Sequence, residues 1–264
     1  MHIVVTLKQV YDPNTSPALL QVGADEISLE VRSGMSPVLN GYDANAIEEA
    51  IKIKEAIPGT TITAISVGDD QAITHIRRAL AMGADAGVHI KGPTGLDCDS
   101  FVIAEVLAAA IRKLGLVDLV LCGKAASDTD AGQTHLILAE KLGIASVSPI
   151  KALEQVSAES LIAQRMGEGQ TQRVKARLPL LLGISNEINK PRAPALKGVM
   201  MAKKVQVPTW SIEELGVIGA APSATLKKLF ITPAANVATT MISQGSDEAN
   251  GRALAERLFD EGVL

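Results

Sequence analysis

Aromatic side chains are nearly absent from this 264-residue chain: three Phe, two Tyr and one Trp make up 2% of it. An interior without them must be filled by Ala, Val, Ile and Leu, small aliphatic side chains that suit helices layered on a sheet. The same shortage removes the stacking platforms on which single-stranded nucleic acids are held. A basic surplus is missing too. The formal net charge is -4, which excludes a global nucleic-acid footprint. Cysteine is limited to Cys98 and Cys122, which do not make a disulfide framework, and Cys122 lies in an apolar run that marks a buried thiol. No apolar run reaches the length of a membrane span. The opening residues Met1–Thr6 lack the charged-then-apolar pattern of a secretion signal and read as a first strand. Together these absences predict a cytoplasmic protein without membrane insertion.

Signatures of catalysis are equally thin. His2, His75, His89 and His135 have no metal-ligand spacing, and no close pair of cysteines could help them. No G-x-S-x-G elbow is present, and no G-x-G-x-x-G opens the first helix. The segment around Gly123-Lys124 is not a Walker loop, because Asp118 holds the position of its first glycine and Ala125 that of its Ser/Thr. Without that magnesium-binding hydroxyl, phosphoryl transfer loses its support. His135 falls one turn into the helix that follows; an exposed polar position is expected there, with phosphate contact as the alternative. The chain reads as a binding protein rather than an enzyme, its chemistry left to a cofactor.

What the sequence does have is aliphatic residues patterned in alternating strand and helix signals. Its length suits one large α/β domain with added arms. Residues 2–8 are a short β-branched run, hence a buried strand. Alternation at Ile27, Leu29 and Val31 predicts a hairpin within 18–32. Asp43 precedes Ala46, Ile47, Ala50 and Ile51 at helical spacing, placed to cap free N–H groups, with Glu48 and Glu49 complementing the positive helix end. Further strands are expected at 60–67, 86–90 and 117–122. One intervening helix carries Ile73, Ile76 and Leu80 and stops at Gly83. Another is opened by Asp99, with Ile103, Val106, Leu107 and Ile111 along one face. A third runs to Leu142, stopped by Gly143.

This order predicts an α/β fold with a parallel, doubly wound sheet, in which ligands bind at the carboxyl ends of the strands. Residues 160–165, 170–177 and 180–185 read as strands forming an antiparallel edge. Residues 186–210 combine Pro191, Pro194 and Pro208 with Lys190, Arg192, Lys197, Lys203 and Lys204, the composition of an exposed arm. A last helix near 247–261 places Leu254, Leu258 and Phe259 on one side and needs a surface to dock on. The expected division is therefore a nucleotide-binding domain over 1–186, its edge strands near 160–185, followed by an arm over 187–264.

The segment with most to offer is Gly123-Lys124-Ala125-Ala126-Ser127-Asp128-Thr129-Asp130-Ala131-Gly132-Gln133-Thr134, between a buried strand and a helix. Its small residues let backbone N–H groups approach a ligand. Gln133 and Thr134 lie at a helix start, where free N–H groups and the dipole favour a phosphate, and Lys124 can add charge. The alternative is a solvated loop whose aspartates cap the helix. The basic arm has two readings as well: a surface loop, or an apolar anchor at Leu196 ringed by cations, suited to a steered protein contact.

Several segments together resemble electron-transfer flavoprotein beta subunits over nearly the whole chain. They are Val4 to Val10, Asn40 to Asp43 running into Ala46-Ile47-Glu48-Glu49-Ala50, Ser66-Val67-Gly68, Ala79 to Asp85, the Gly123–Thr134 loop, and Asn189-Lys190-Pro191-Arg192 leading to Leu196 and Ala202-Lys203-Lys204. The resemblance implies the smaller subunit of a heterodimer whose alpha subunit mainly holds the FAD. It also implies a Rossmann-like adenine-nucleotide-binding domain with one structural AMP. The AMP-contacting pattern falls on Thr6, Asn40, Gly41, Tyr42, Asp43, Val67 and Gly123–Thr134. The arm around Leu196 is similar to the loop that docks on acyl-CoA dehydrogenase-type donors, with electrons leaving to a quinone oxidoreductase. Asn40-Gly41-Tyr42 departs from the family's Asn-Pro-Phe, and Ala125, Gly132 and His135 also differ from its usual residues. Two alternatives stand beside AMP: a bifurcating relative with a second FAD in this subunit, and a stand-alone adenine-nucleotide sensor.

Overall fold

The computed structural model of the chain describes residues 1–31, 36–93, 99–217, 222–232 and 239–263, so Cys98 lies outside the described residues. Strand β1 (His2–Leu7) runs into β2 (Gln9–Val10); the hairpin β3 (Leu20–Val22) and β4 (Leu29–Val31) comes next, and then β5 (Val38–Leu39), which pairs back on β2. Alternation then begins: α1 (Gly41–Ala56), β6 (Thr61–Gly68), α2 (Ala72–Met82), β7 (Ala86–Lys91), α3 (Ser100–Leu114), β8 (Leu119–Gly123) and α4 (Thr134–Leu142). A three-strand meander follows, β9 (Ala145–Val156), β10 (Ser160–Gly167) and β11 (Gln170–Arg177), and then β12 (Leu180–Ile184), α5 (Leu196–Ala202) and β13 (Thr209–Ser211).

Nine strands form the main sheet, in the order β11–β10–β9–β12–β8–β1–β6–β7–β13. Pairing is parallel from β9 to β13 and antiparallel in β9–β10 and β10–β11. Ile3, Val4 and Val5 of β1 are all fully buried, since a central parallel strand is covered on both faces and shows no polar alternation. On one face, Ile3, Val5, Ile62 and Ala64 pack with α1 and α2; on the other, Val4, Ile65, Val88 and Ile90 pack with α3 and α4. From β1 the chain builds outward through β6 and β7. Helix α3 then carries it back to β8, on the opposite side of β1. The strand order reverses there, so the carboxyl ends of β1 and β8 flank a crevice.

Local chemistry fixes the helix ends. The Asp99 carboxylate accepts hydrogen bonds from the N–H groups of Phe101 (2.8 Å) and Val102 (3.0 Å), capping α3 as expected. Gly143 ends α4 in the left-handed region at φ 69°, open to glycine without strain.

Two expectations need correction. Residues 180–184 are not an antiparallel edge: β12 lies inside the sheet, parallel to both β8 and β9, and all five of its residues are buried. The unbroken apolar run Leu180-Leu181-Leu182 carried that signal. The partner strand β9 was not foreseen, because its polar, half-exposed residues have no clear period. The second correction concerns Asp43, which lies inside the first turn of α1 behind the true N-cap residue Asn40. Glu48 and Glu49 likewise sit in mid-helix and are buried.

Residues after 186 return to the body. Helix α5 packs on α2, burying Ala202, and β13 extends the sheet beside β7. Contacts separate the chain into Met1–Phe230 and Ile231–Leu264. The second unit contains α6 (Asp247–Asp260), capped by Ser246 Oγ, which accepts from Ala249 N–H; none of its residues is buried. Among the described residues no helix is long and apolar enough to cross a membrane.

The α5–α2 contact depends on Gly198, where a Cβ would stand 2.2 Å from the Ala81 carbonyl oxygen. Backbone cannot yield as a flexible side chain can. Gly198→Ala is expected to destabilise the protein by about 1–3 kcal/mol, read in thermal unfolding as roughly 2–4 °C per kcal/mol.

Candidate functional site

The crevice is organised by one carboxylate. Asp43 accepts a hydrogen bond at Oδ2 from Lys8 N–H (2.7 Å) and one at Oδ1 from Gly123 N–H (3.1 Å). A single side chain on α1 thus joins the carboxyl ends of β1 and β8, satisfying two N–H groups where these strands stop pairing. Burial pushes the Asp43 carboxyl up to about 7, against the lowering effect of those hydrogen bonds. Gly123 must be glycine, since a Cβ would meet Asp43 Oδ1 at 2.4 Å and Tyr42 Cβ at 2.8 Å.

The loop after β8 is tied down on the same side. Asn40 donates from Nδ2 to the Ala125 carbonyl (2.9 Å) and accepts at Oδ1 from Ser127 N–H (3.2 Å). Asn40 N–H itself donates to the Lys8 carbonyl (3.0 Å). Lys8 Nζ pairs with Asp128 at 2.8 Å, and the Asp128 side chain is only 4% exposed. Within the loop, the N–H of Asp130 returns to the Ala126 carbonyl, and Asp130 and Gly132 take positive φ values of 47° and 62°. The loop is therefore a fixed turn, not a solvated tether. It delivers Gln133 to the start of α4, where no side chain caps the first turn.

Between β1, β6, β8 and the starts of α3 and α4 lies a cavity of about 260 Å³. Its polar wall brings together Thr6, Asn40, Asp43, Gly123, Lys124, Ala125, Ala126, Thr129, Ala131, Gly132, Gln133 and Thr134, with Val67 opposite. Gly41, Tyr42, Ser127, Asp128 and Asp130 stand outside the lining: Asp128 turns to Lys8, and Tyr42 lies beneath the Lys124 ammonium, 5.2 Å from its ring centre. Lys8 is consumed by its ion pair. Among the described lining residues, Lys124 is the ammonium without a carboxylate partner.

Lining residues that the strand-end reasoning did not foresee are Leu7, Lys8, Gln9, Pro93, Ser100, Ile103, Leu107 and Cys122; His135, offered only as an alternative phosphate contact, lines it as well. Ile103 and Leu107 were legible only as a core stripe, and the structure has that stripe end on a cavity wall. Cys122 is the buried free thiol expected, pushed up to about 12 by burial. His135 corrects the expectation of exposure. It is buried, its Nε2 lies 2.8 Å from Ser148 Oγ, and burial pushes its pKa down to about 4, so it faces the cavity uncharged. Room for this pair comes from Gly183 in β12, where a Cβ would stand 2.2 Å from Ser148 Oγ. No group of three or more His, Cys, Asp or Glu is placed to hold a metal among the described residues.

Leu196 belongs to a different surface. It opens α5 and is 79% exposed, with Met200 and Met201 exposed beside it. Its approach is clamped rather than loose. Arg192 donates from Nε to Glu48 (2.9 Å) and from Nη1 to Glu55 (2.6 Å), and Asn189 exchanges hydrogen bonds with Asn45 and donates to Glu49.

Comparison with known proteins places these features in a family. Residues 31–215 match the model of the electron transfer flavoprotein domain. The chain is 35% identical to the electron transfer flavoprotein subunit beta of Thermoanaerobacterium thermosaccharolyticum, over 82% of this chain and 81% of that one. It is 32% identical to the caffeyl-CoA reductase-Etf complex subunit CarD of Acetobacterium woodii, over 82% and 80%. Similarity to the subunit beta of Mycobacterium leprae is 31% over 95% and 94%.

Asp43 gives a pH signature. In the folded protein its carboxyl holds a proton up to about pH 7, whereas the unfolded chain releases it near 3.9. Its contribution to stability is thus fullest below the unfolded value and is lost as pH rises through the folded one. Asp43→Asn is expected to cost about 1–3 kcal/mol by leaving a strand-end N–H unpaired. The excess stability of the natural protein over this variant should decline between about pH 4 and 7, measured by chemical denaturation across that range.

Proposed function

The chain belongs to the electron transfer flavoprotein family as a beta subunit, and from that premise we propose that its crevice holds AMP as a structural ligand while the FAD is held mainly by the partner. Proteins of this family are heterodimeric flavoproteins of electron transport, and a beta subunit implies an alpha subunit. The observation that carries the reading is the cavity, with a fixed glycine-bearing turn and an uncapped helix start on one side and Val67, Ile103 and Leu107 on the other. A phosphate suits the first; a planar base suits the second.

The residues present fit such a group. No side chain caps the first turn of α4, whose Gln133 and Thr134 line the cavity, so the N–H groups of that helix start are left for a ligand. In this reading Lys124 and the N–H groups of Gln133 and Thr134 receive the phosphate, and Thr6 and Asn40 border the sugar. Flavin, when bound in the heterodimer, supplies the capacity to accept and return electrons. This chain's part is to exclude water, hold the partner's surface and present a docking arm. The same reading gives the Ile231–Leu264 unit, with its exposed Phe259 and Leu254, to the alpha subunit.

The proposed electron donor is a dehydrogenase of the acyl-CoA type and the proposed acceptor a quinone oxidoreductase. In support, one relative is named as part of a complex with a caffeyl-CoA reductase, an enzyme of a CoA thioester. The exposed apex of α5 is suited to such a transient contact. Leu196 projects with Met200 and Met201 from a root held by Arg192, and Lys197, Lys203 and Lys204 lie along the same segment.

Native mass spectrometry of the complex co-expressed with its alpha subunit tests the ligand assignment. One FAD and one AMP per heterodimer are expected; two FAD would assign the cavity to a second flavin, and a colourless protein that recruits no partner would reject the family role. Leu196→Ala is expected to slow reduction of the flavin by the donor at least tenfold, a loss typical of a truncated hot spot, with flavin content unchanged. Stopped-flow reduction at wild-type rates would remove the docking assignment.

A further inference from the structure

Resting on the reading of the cavity as a nucleotide site, we infer that His135 donates a hydrogen bond from Nδ1–H to the nucleotide's phosphate, its ring held in place by the Ser148 hydroxyl on the opposite edge. His135 is the second residue of α4, lines the cavity and is only 5% exposed. Helical side chains lean toward the N-terminus of their own helix, which carries this ring toward the uncapped first turn where the phosphate is placed. The other helix start on the cavity, that of α3, is already closed by the Asp99 carboxylate, whose charge disfavours an anion there.

The two edges of the imidazole have different neighbours. Its Cδ2–Nε2 edge is turned to the sheet: Nε2 lies 2.8 Å from Ser148 Oγ, and a Cβ on Gly183 of β12 would stand 2.8 Å from Cδ2. Nδ1 lies on the other edge. It makes no hydrogen bond among the described residues, yet it is not sealed, since the unpaired polar atoms closed off from solvent are Gln9 Oε1, Thr60 Oγ1 and Ser127 Oγ. Ser148 decides where the ring hydrogen sits. Its hydroxyl has no partner but Nε2 among the described residues, and it satisfies its hydrogen by donating it there. Nε2 then accepts, and in a ring kept neutral by burial the hydrogen is carried by Nδ1. That donor needs an acceptor on the ligand. A phosphate at the start of α4 supplies acceptor oxygens, and its charge strengthens the bond.

The test uses the heterodimer with its resident nucleotide exchanged out, titrated calorimetrically with AMP and with adenosine, which lacks the phosphate. In His135→Asn the side-chain amide N–H stands near the place of Nδ1–H; in His135→Gln it stands near that of Nε2, toward Ser148. AMP affinity is expected to fall roughly tenfold or more in His135→Gln and His135→Ala, and to return most of the way in His135→Asn. Adenosine affinity should change much less across the set. If the alanine variant does not fold, the Asn and Gln variants carry the same comparison. AMP binding in His135→Gln as tight as in the natural protein would overturn the inference and leave the AMP reading standing. So would an equal loss for AMP and adenosine, or an Asn variant as weak as the Gln one. Failure of the natural protein to bind AMP at all would instead overturn the reading beneath it.

Discussion

A buried carboxylate with two backbone partners holds this molecule's crevice in shape. Strands β1 and β8 are neighbours in the sheet, and beyond their last paired residues each leaves an N–H group without a ladder partner. Asp43 answers both from the first turn of α1. The arrangement sets how far apart the two strand ends stand, admits only glycine at position 123, and draws Asn40 to where it can tie the following loop through Ala125 and Ser127. It is obtained against a desolvation cost, visible in a carboxyl that titrates near neutrality. A shape costly to hold, at the reversal of strand order, is what a binding crevice in a parallel sheet needs.

The cavity borrows its other wall from the core. Ile103 and Leu107 belong to the same apolar stripe of α3 that covers the sheet, and Cys122 to the central strand β8. Sharing a wall in this way couples binding to packing. The scarcity of aromatic residues leaves that shared wall to short aliphatic side chains. His135 is buried too, beside Ser148 and Gly183, and that burial keeps it neutral, so the positive character of the site rests with Lys124 and the helix start.

The segment beyond residue 186 carries many charges, yet its root is no free tether. Arg192 spends its guanidinium on Glu48 and Glu55, and Asn189 on α1 backbone and Glu49. Glu48 and Glu49, which look in sequence like a favourable bias at a helix start, are mid-helix anchors for a segment about 140 residues away. With its root held and Gly198 seated against α2, α5 can leave Leu196, Met200 and Met201 exposed without losing its place.

By itself the sequence determined the alternating strands and helices of the first half and their order, though not β9, α5 or β13. The β-branched run of β1, the stripe of α3 with its Asp99 cap and the glycine stops of α2 and α4 are local signals, set by backbone propensity and periodicity. It also marked the loop 123–134, whose small residues carry their meaning locally. Only the tertiary structure decided which residues converge. That Asp43 bridges strands instead of capping its own helix, that β12 lies inside the sheet and that His135 is buried all depend on partners distant in the chain. A residue's type constrains what bonds it can make, but the neighbour that makes them is supplied by the fold.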